Sequence, residues 1–213
     1  ALKLSEEVKD FVSLVFATYW YAIALGYSCE FEKAGNYFKR ALDINMAVNN
    51  LWGIVVMKDS LAYFSYFYNG KIDLQFETTN DALRIAEEGV DIISKAYSYI
   101  HHGISCFGKG FLEEAEKHLL KGAAFCERIN LQSWNGAARF HLGDIRFEMG
   151  DFSKSKEHYG KGILVWECNR LVPSWANLGK VGLARAKVIN KEKDVNLEPL
   201  YTYSRNNKVK VCE

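Results

Sequence analysis

Two stretches of this sequence bring reactive side chains close together. In "GISCFGKG", residues 103–110, Gly103, Gly108 and Lys109 match most of the pattern G-x-x-x-x-G-K-[ST]. There, glycine amides cradle phosphates and the lysine neutralises them. The closing position is Gly110, so the hydroxyl that would hold magnesium is missing, and a helix rather than the required strand precedes the loop. Just upstream, "HHGISC" sets His102 and Cys106 four residues apart, on one face of a helix, where an imidazole and a thiolate could share a metal. Two ligands are too few for a site, and His118, His141 and His158 fall on other segments. A packed or hydrogen-bonded His102 is expected, and no metal. His158 sits in the charged run "SKSKEHYGK", which reads as a solvated helix face. The carboxylates Glu87, Glu88, Glu113, Glu114 and Asp144 stand where exposed polar faces are expected. No nucleophile, base and orienting group come together. The expectation is a chain with no catalysis and no cofactor of its own.

The elements carrying these residues read as long helices. The chain has 213 residues, 49% of them hydrophobic, enough for a sizeable core, and only Pro173 and Pro199 interrupt it. Lys and Arg number 27 against 26 Asp and Glu, which gives no electrostatic reason to expect a nucleic acid or an anionic membrane as partner. The uncharged run "FVSLVFATYWYAIALGYSC", residues 11–29, approaches the length of a membrane span. Its Ser13, Thr18, Ser28 and three tyrosines, with Asp10 and Glu30 at its ends, favour a helix buried against protein. Five cysteines, an odd number with no C-x-x-C pair, argue against a zinc ribbon or a disulfide framework and for a reducing compartment, the cytoplasm.

The sequence repeats. "GDFSKSKEHYGKGI" at 150–163 has a turn residue, Phe152 two further on, Ser155 after that, then Tyr159 and Gly162. "GKGFLEEAEKHLLKGA" supplies Gly110, Leu112, Ala115, Leu119 and Gly122, and "CEFEKAGNYFKRAL" supplies Cys29, Phe31, Ala34, Phe38 and Ala41. "GKIDLQF" supplies Gly70 and Ile72, with Gln75 and Thr79 at the small and aromatic positions. Turns at 29, 70, 110 and 150 stand 41, 40 and 40 residues apart. Seven places before each lies Ala22, then bulky Tyr63, then Gly103, then Gly143. A fifth copy begins at Trp175, Leu178 and Gly179. A fixed period of this length signals stacked helical hairpins, with Gly or Ala letting two helices approach while Phe38, Leu119 and Tyr159 fill the space beside them.

These motifs resemble the tetratricopeptide repeat, roughly W-x-x-L-G-x-x-Y-x-x-x-G-x-Y/F-x-x-A-x-x-x-Y/F-x-x-A. The longer period, against about 34 residues in the family, is similar to variants in bacterial signalling ATPases and multidomain nucleotidyl cyclases. The resemblance implies an all-α solenoid of about five antiparallel hairpins. First helices are expected near 5–28, 48–68, 90–108, 132–149 and 172–189, and partner helices near 31–46, 72–88, 112–129 and 152–168. A short helical or irregular tail follows. One domain over 1–213 is expected. Phe11, Val15 and Trp20 make a poor polar end-cap, which points to a piece of a longer chain.

The resemblance further implies a concave face lined by the first helices. Family positions map onto Phe16, Tyr19, Ile23 and Gly26; Met57, Ser60, Phe64 and Phe67; Tyr97, Ile100, Ile104 and Phe107; and Ala137, Phe140, Asp144 and Phe147. Tyr19 and Ile23 stand where carboxylate-clamping members carry Lys and Asn, so that function is not expected. The expected role is protein or peptide binding, as the scaffolding arm of a signalling protein. Two alternatives stay open: a small effector or short peptide enclosed in the groove, and burial of these aromatics between repeats. Exposed end helices could also pair into a homodimer.

Overall fold

The structure, a computed structural model, describes residues 2–7, 10–89, 91–169, 173–193 and 195–206. Val90, Val172 and Cys212 lie outside them. Among the described residues eleven helices follow in order: α1 (Leu2–Glu7), α2 (Phe11–Tyr27), α3 (Phe31–Ala47), α4 (Leu51–Leu61), α5 (Ile72–Glu88), α6 (Ile92–Gly108), α7 (Leu112–Arg128), α8 (Gln132–Glu148), α9 (Phe152–Cys168), α10 (Pro173–Ile189) and α11 (Glu198–Asn206). A π-helical stretch, Ala62–Phe67, continues α4. No strand occurs among the described residues, and no described helix is long and apolar enough to cross a membrane. The expected first helix, 5–28, is in fact two. Asp10 caps the second, accepting hydrogen bonds from the amides of Val12 and Ser13.

Seven turns share one solution. Cys29, Asn49, Gly70, Gly110, Asn130, Gly150 and Lys191 all have φ between 51° and 80°. In each case the next residue's amide reaches the carbonyl five residues back, as Phe111 does to Cys106 at 2.9 Å and Leu131 to Cys126 at 2.8 Å. This left-handed cap closes a helix while satisfying its last carbonyls. The four positions with the 40-residue spacing therefore end the first helix of each hairpin. The asparagines end the partner helices, where a short polar side chain tolerates this conformation.

Within the hairpins the small residues do what their spacing implied. A Cβ on Gly103 would stand 2.8 Å from Leu119 Cγ, and one on Gly143 would stand 2.6 Å from Tyr159 Cδ1. Phe38, Leu119 and Tyr159 are all fully buried. The second hairpin departs from the pattern for a physical reason. Its interval holds one extra residue, and the π-helical stretch falls in the helix that carries it. Ala62, one place before Tyr63, is the fully buried small residue, while Tyr63 turns to the inner face. Its partner helix carries fully buried Thr79 where the other hairpins place a large side chain.

Candidate functional site: an aromatic inner face

Tyr63 is the hub of the inner face. Its ring lies 5.8 Å from His101 on α6, 6.4 Å from Trp134 and 6.2 Å from His141 on α8, and 5.9 Å from Trp175 on α10. All of these come from first helices, which therefore line the concave side. Trp175 Nε1 donates to Tyr27 Oη at 2.9 Å, so the first and fifth hairpins meet across it. Burial holds the Tyr63 phenol far above its ordinary pKa, and burial pushes the His101 imidazole down to about 4. Both are uncharged at neutral pH.

Two clefts that share lining residues lie along this face, the inner one reaching Trp134 and Trp175 beside the hub. The inner one, about 320 Å³, is walled by Tyr19, Tyr27, Phe64, Tyr97, Trp134 and Trp175 among others. The outer one, about 530 Å³, runs between α2, α3 and α4 and includes Phe11, Val12, Phe16, Val48 and Trp52. Tyr19, Trp20 and Tyr97 belong to both. At its rim Trp20 is 62% exposed and Phe16 51%. Among the described residues no Asp, Glu, Lys or Arg lines either cleft, so this surface suits apolar groups and aromatic anchors rather than charge.

The expected concave residues divide four ways. Phe16, Tyr19, Ile23, Met57, Phe64 and Tyr97 border the clefts, although Ile23, Met57 and Phe64 are themselves buried. Ile104 and Phe140 are buried in the core and border neither. Phe67 stacks on Tyr63. Asp144 and Phe147 form a separate cluster at the C-terminal side. Tyr159 Oη donates to Asp144 at 2.5 Å, and the Arg185 guanidinium pairs with Asp144 at 3.6 Å while covering the Phe147 ring at 3.9 Å. Asp144 is thus not on an exposed face but in a packed polar contact. The register positions could not find Tyr27, Trp134 or Trp175. The anomalous bulk of Tyr63 was the available signal for that part of the site.

The other expectations resolve case by case. Lys109 Nζ sits 2.6 Å from Asp73, and Gly103 faces Leu119, so the phosphate-loop match is accounted for by packing and an ion pair. His158 is half-buried, its Nδ1 cut off from solvent, and not on a solvated face. His118 is not isolated. One ligand atom each of His102, Cys106 and His118 lies within 4.8 Å of the others. Glu87, Glu88, Glu113 and Glu114 are exposed as expected. Cys29 and Cys168 are exposed thiols, and Cys106 and Cys126 buried ones.

The fold is that of tetratricopeptide-like repeat proteins. BtubC (BKLC) from P. vanneervenii superposes with a TM-score of 0.69 at 14% identity, over 96% of this chain and 84% of that one. The kinesin light chain TPR-like repeats of Podospora anserina, described as putative and nearly identical, give 0.60 at 16% identity, over 93% of this chain and 97% of that one. A single-residue variant of the latter gives the same TM-score and identity. No protein-family model matches the sequence, and no curated protein matches it either.

Proposed function

We propose that this chain is a non-catalytic protein-interaction module that seats a partner's amphipathic helix or extended peptide in the aromatic clefts of its inner face. The observation that carries this reading is the outer cleft: Phe11, Val12, Phe16, Trp20, Val48 and Trp52 are all more than 40% exposed and adjoin one another. Contiguous exposed apolar surface of this kind marks interaction sites in folded proteins. Rigid aromatic side chains on helices also make effective anchors, because they lose little conformational freedom on binding. The shared fold of BtubC and the Podospora repeats supports a repeat scaffold without identifying a partner. In this reading the module serves as the scaffolding arm of a signalling or regulatory protein in the cytoplasm. Its partner is a protein rather than a nucleic acid.

A second reading draws on the inner cleft. Its volume of about 320 Å³ and aromatic walls suit a small effector or a single aromatic side chain. Selection of displayed peptides against the intact chain, with counter-selection against Phe16→Ser, a residue that lines the outer cleft alone, separates the two. Peptides with aromatic or aliphatic anchors at i, i+3 or i+4 that lose at least tenfold affinity for Phe16→Ser and Trp20→Ser support the peptide reading. Peptides that bind both proteins equally would remove the outer cleft from it. Light scattering of the free chain covers the remaining case, a second copy occupying the cleft as a homodimer.

A further inference from the structure

His102 and Cys106 are one turn apart on α6, and α7 brings His118 against them, its ring 4.9 Å from that of His102. The three donor atoms lie within 4.8 Å of one another. Tetrahedral zinc ligands at ordinary bond lengths stand about 3.5 Å apart, a difference that side-chain rotations can close. His102 and Cys106 are buried, and His118 Nδ1 is cut off from solvent with no hydrogen-bond partner among the described residues.

The surroundings prepare the ligands. His102 Nδ1 lies 3.1 Å from Thr79 Oγ1, Thr79 Oγ1 lies 2.7 Å from Ser105 Oγ, and Ser105 Oγ donates to the His102 carbonyl at 2.8 Å. Thr79 Oγ1 also lies 3.1 Å from the Phe76 carbonyl; in one arrangement that satisfies the chain, His102 Nδ1–H donates to Thr79, Thr79 to Ser105, and Ser105 to the His102 carbonyl. This arrangement leaves the lone pair on Nε2, as a ligating histidine held by an outer hydrogen bond requires. Thr79 is the residue that breaks the repeat pattern, standing where other hairpins place Phe38, Leu119 or Tyr159. Phe or Leu there would offer no hydroxyl, and a tyrosine hydroxyl would lie at the far end of its ring, too far out to orient His102.

We infer that His102, Cys106 and His118 form a binding site for a zinc-class divalent ion, with water or the Glu114 carboxylate completing the shell. Glu114, one turn before His118, lies close enough for its charge to act on both Cys106 and His118. Burial depresses both imidazoles, so they are neutral and able to ligate at pH 7, while it lifts the Cys106 thiol to about 11. A bound cation reverses that last effect, releasing the thiol proton to solvent as the metal–sulfur bond forms. Lys117 and Lys121 oppose the ion's charge from the His118 side, which places the expected affinity below that of an all-cysteine site.

The test uses the full reduced chain with Cys29, Cys168 and Cys212 changed to serine, leaving Cys106 and buried Cys126. Titration with Co²⁺ is followed by absorption, and Zn²⁺ is then added in competition. One ion per chain with a thiolate-to-cobalt charge-transfer band, displaced by Zn²⁺, is the expected result. Cys106→Ser should abolish the band, and half-buried His118→Gln should weaken binding at least tenfold while circular dichroism stays unchanged. Zn²⁺ should also slow alkylation of Cys106 at least tenfold in the parent and much less in His118→Gln, a readout that decides the matter even if Cys106→Ser fails to fold. No charge-transfer band, or binding and protection indifferent to His118→Gln, overturns the site.

Discussion

Trp175 and Tyr27, 148 residues apart, are joined by a hydrogen bond from indole Nε1 to phenol oxygen at 2.9 Å. Repeat arrays are held together mainly by contacts between adjacent repeats, yet here the first hairpin touches the fifth across the inner face. Replacing either residue by phenylalanine keeps a ring and deletes the bond. Tyr27→Phe should cost about 1 kcal/mol in urea unfolding, Trp175→Phe that plus the packing its smaller ring gives up against Tyr63 and Trp166, and the double variant little more than Trp175→Phe alone. Fully additive costs would mean that the bond is not formed in solution.

The glycines give a prediction with opposite signs. Gly143 has Tyr159 against it, with Cδ1 2.6 Å from any Cβ, whereas Gly160 faces open space within α9. Gly143→Ala should destabilise by about 1–3 kcal/mol, because a packed helix crossing must move apart. Gly160→Ala should stabilise by about 0.5–1 kcal/mol through helix propensity. Thermal unfolding of the two variants side by side checks this, and equal shifts would contradict the crossing geometry.

A third prediction concerns pH. Asp59 is fully buried; its Oδ2 accepts from Ser98 Oγ at 2.8 Å, and its Oδ1 has no partner among the described residues. Burial raises its pKa well above the usual carboxylate range, against smaller opposing effects of Ser98 and Lys58. The folded chain therefore keeps this proton where the unfolded chain has lost it. The stability tied to it is complete below about pH 4 and is lost as pH rises through the folded pKa. His101 and His102, lowered to about 4, act in the other direction. Their contribution is complete above about pH 6.5 and falls as pH drops from there to about 4. Asp59→Asn removes the first term alone. It should stabilise by on the order of 1–3 kcal/mol at pH 8, with the gain vanishing near pH 4. A loss of stability at pH 8 would mean that the carboxylate is charged and held by interactions the asparagine lacks.

The hairpins were readable because their cause is local: a turn residue able to take positive φ, and a small residue facing a large one, recur at fixed spacing. Cys29, Gly70, Gly110 and Gly150 are the same four turns in sequence and structure. The break at Asp10 was harder to see, since it depends on a cap within an otherwise continuous apolar run. The site was less legible, because it is made by curvature. Trp134 and Trp175 are brought to Tyr63 only when successive hairpins rotate, and no pairwise spacing encodes that rotation. His118 reaches His102 through the helix crossing in the same way, although each looks solitary along the chain. Tyr63 stood out in its column, but its destination depended on the π-helical stretch that turns it inward.

The aromatic face is both groove and core, and substitutions can separate the two. Phe16 and Trp20 are 51% and 62% exposed, so little apolar contact is lost when either becomes serine, and stability should change by no more than about 0.5 kcal/mol. Phe64 is 4% exposed and packs against Phe38, Tyr27 and Tyr63. Phe64→Ser leaves a cavity and a buried hydroxyl and should cost about 3–5 kcal/mol. The exposed rim at Phe16 and Trp20 can therefore be altered without touching the fold, and the buried wall at Phe64 cannot. Urea unfolding of the three single variants reads this directly. If Trp20→Ser proves as costly as Phe64→Ser, then α2 is clamped more tightly than its exposure implies and the outer cleft is closed in solution. If all three are mild, the aromatic hub contributes little to stability and is free to rearrange around a bound partner.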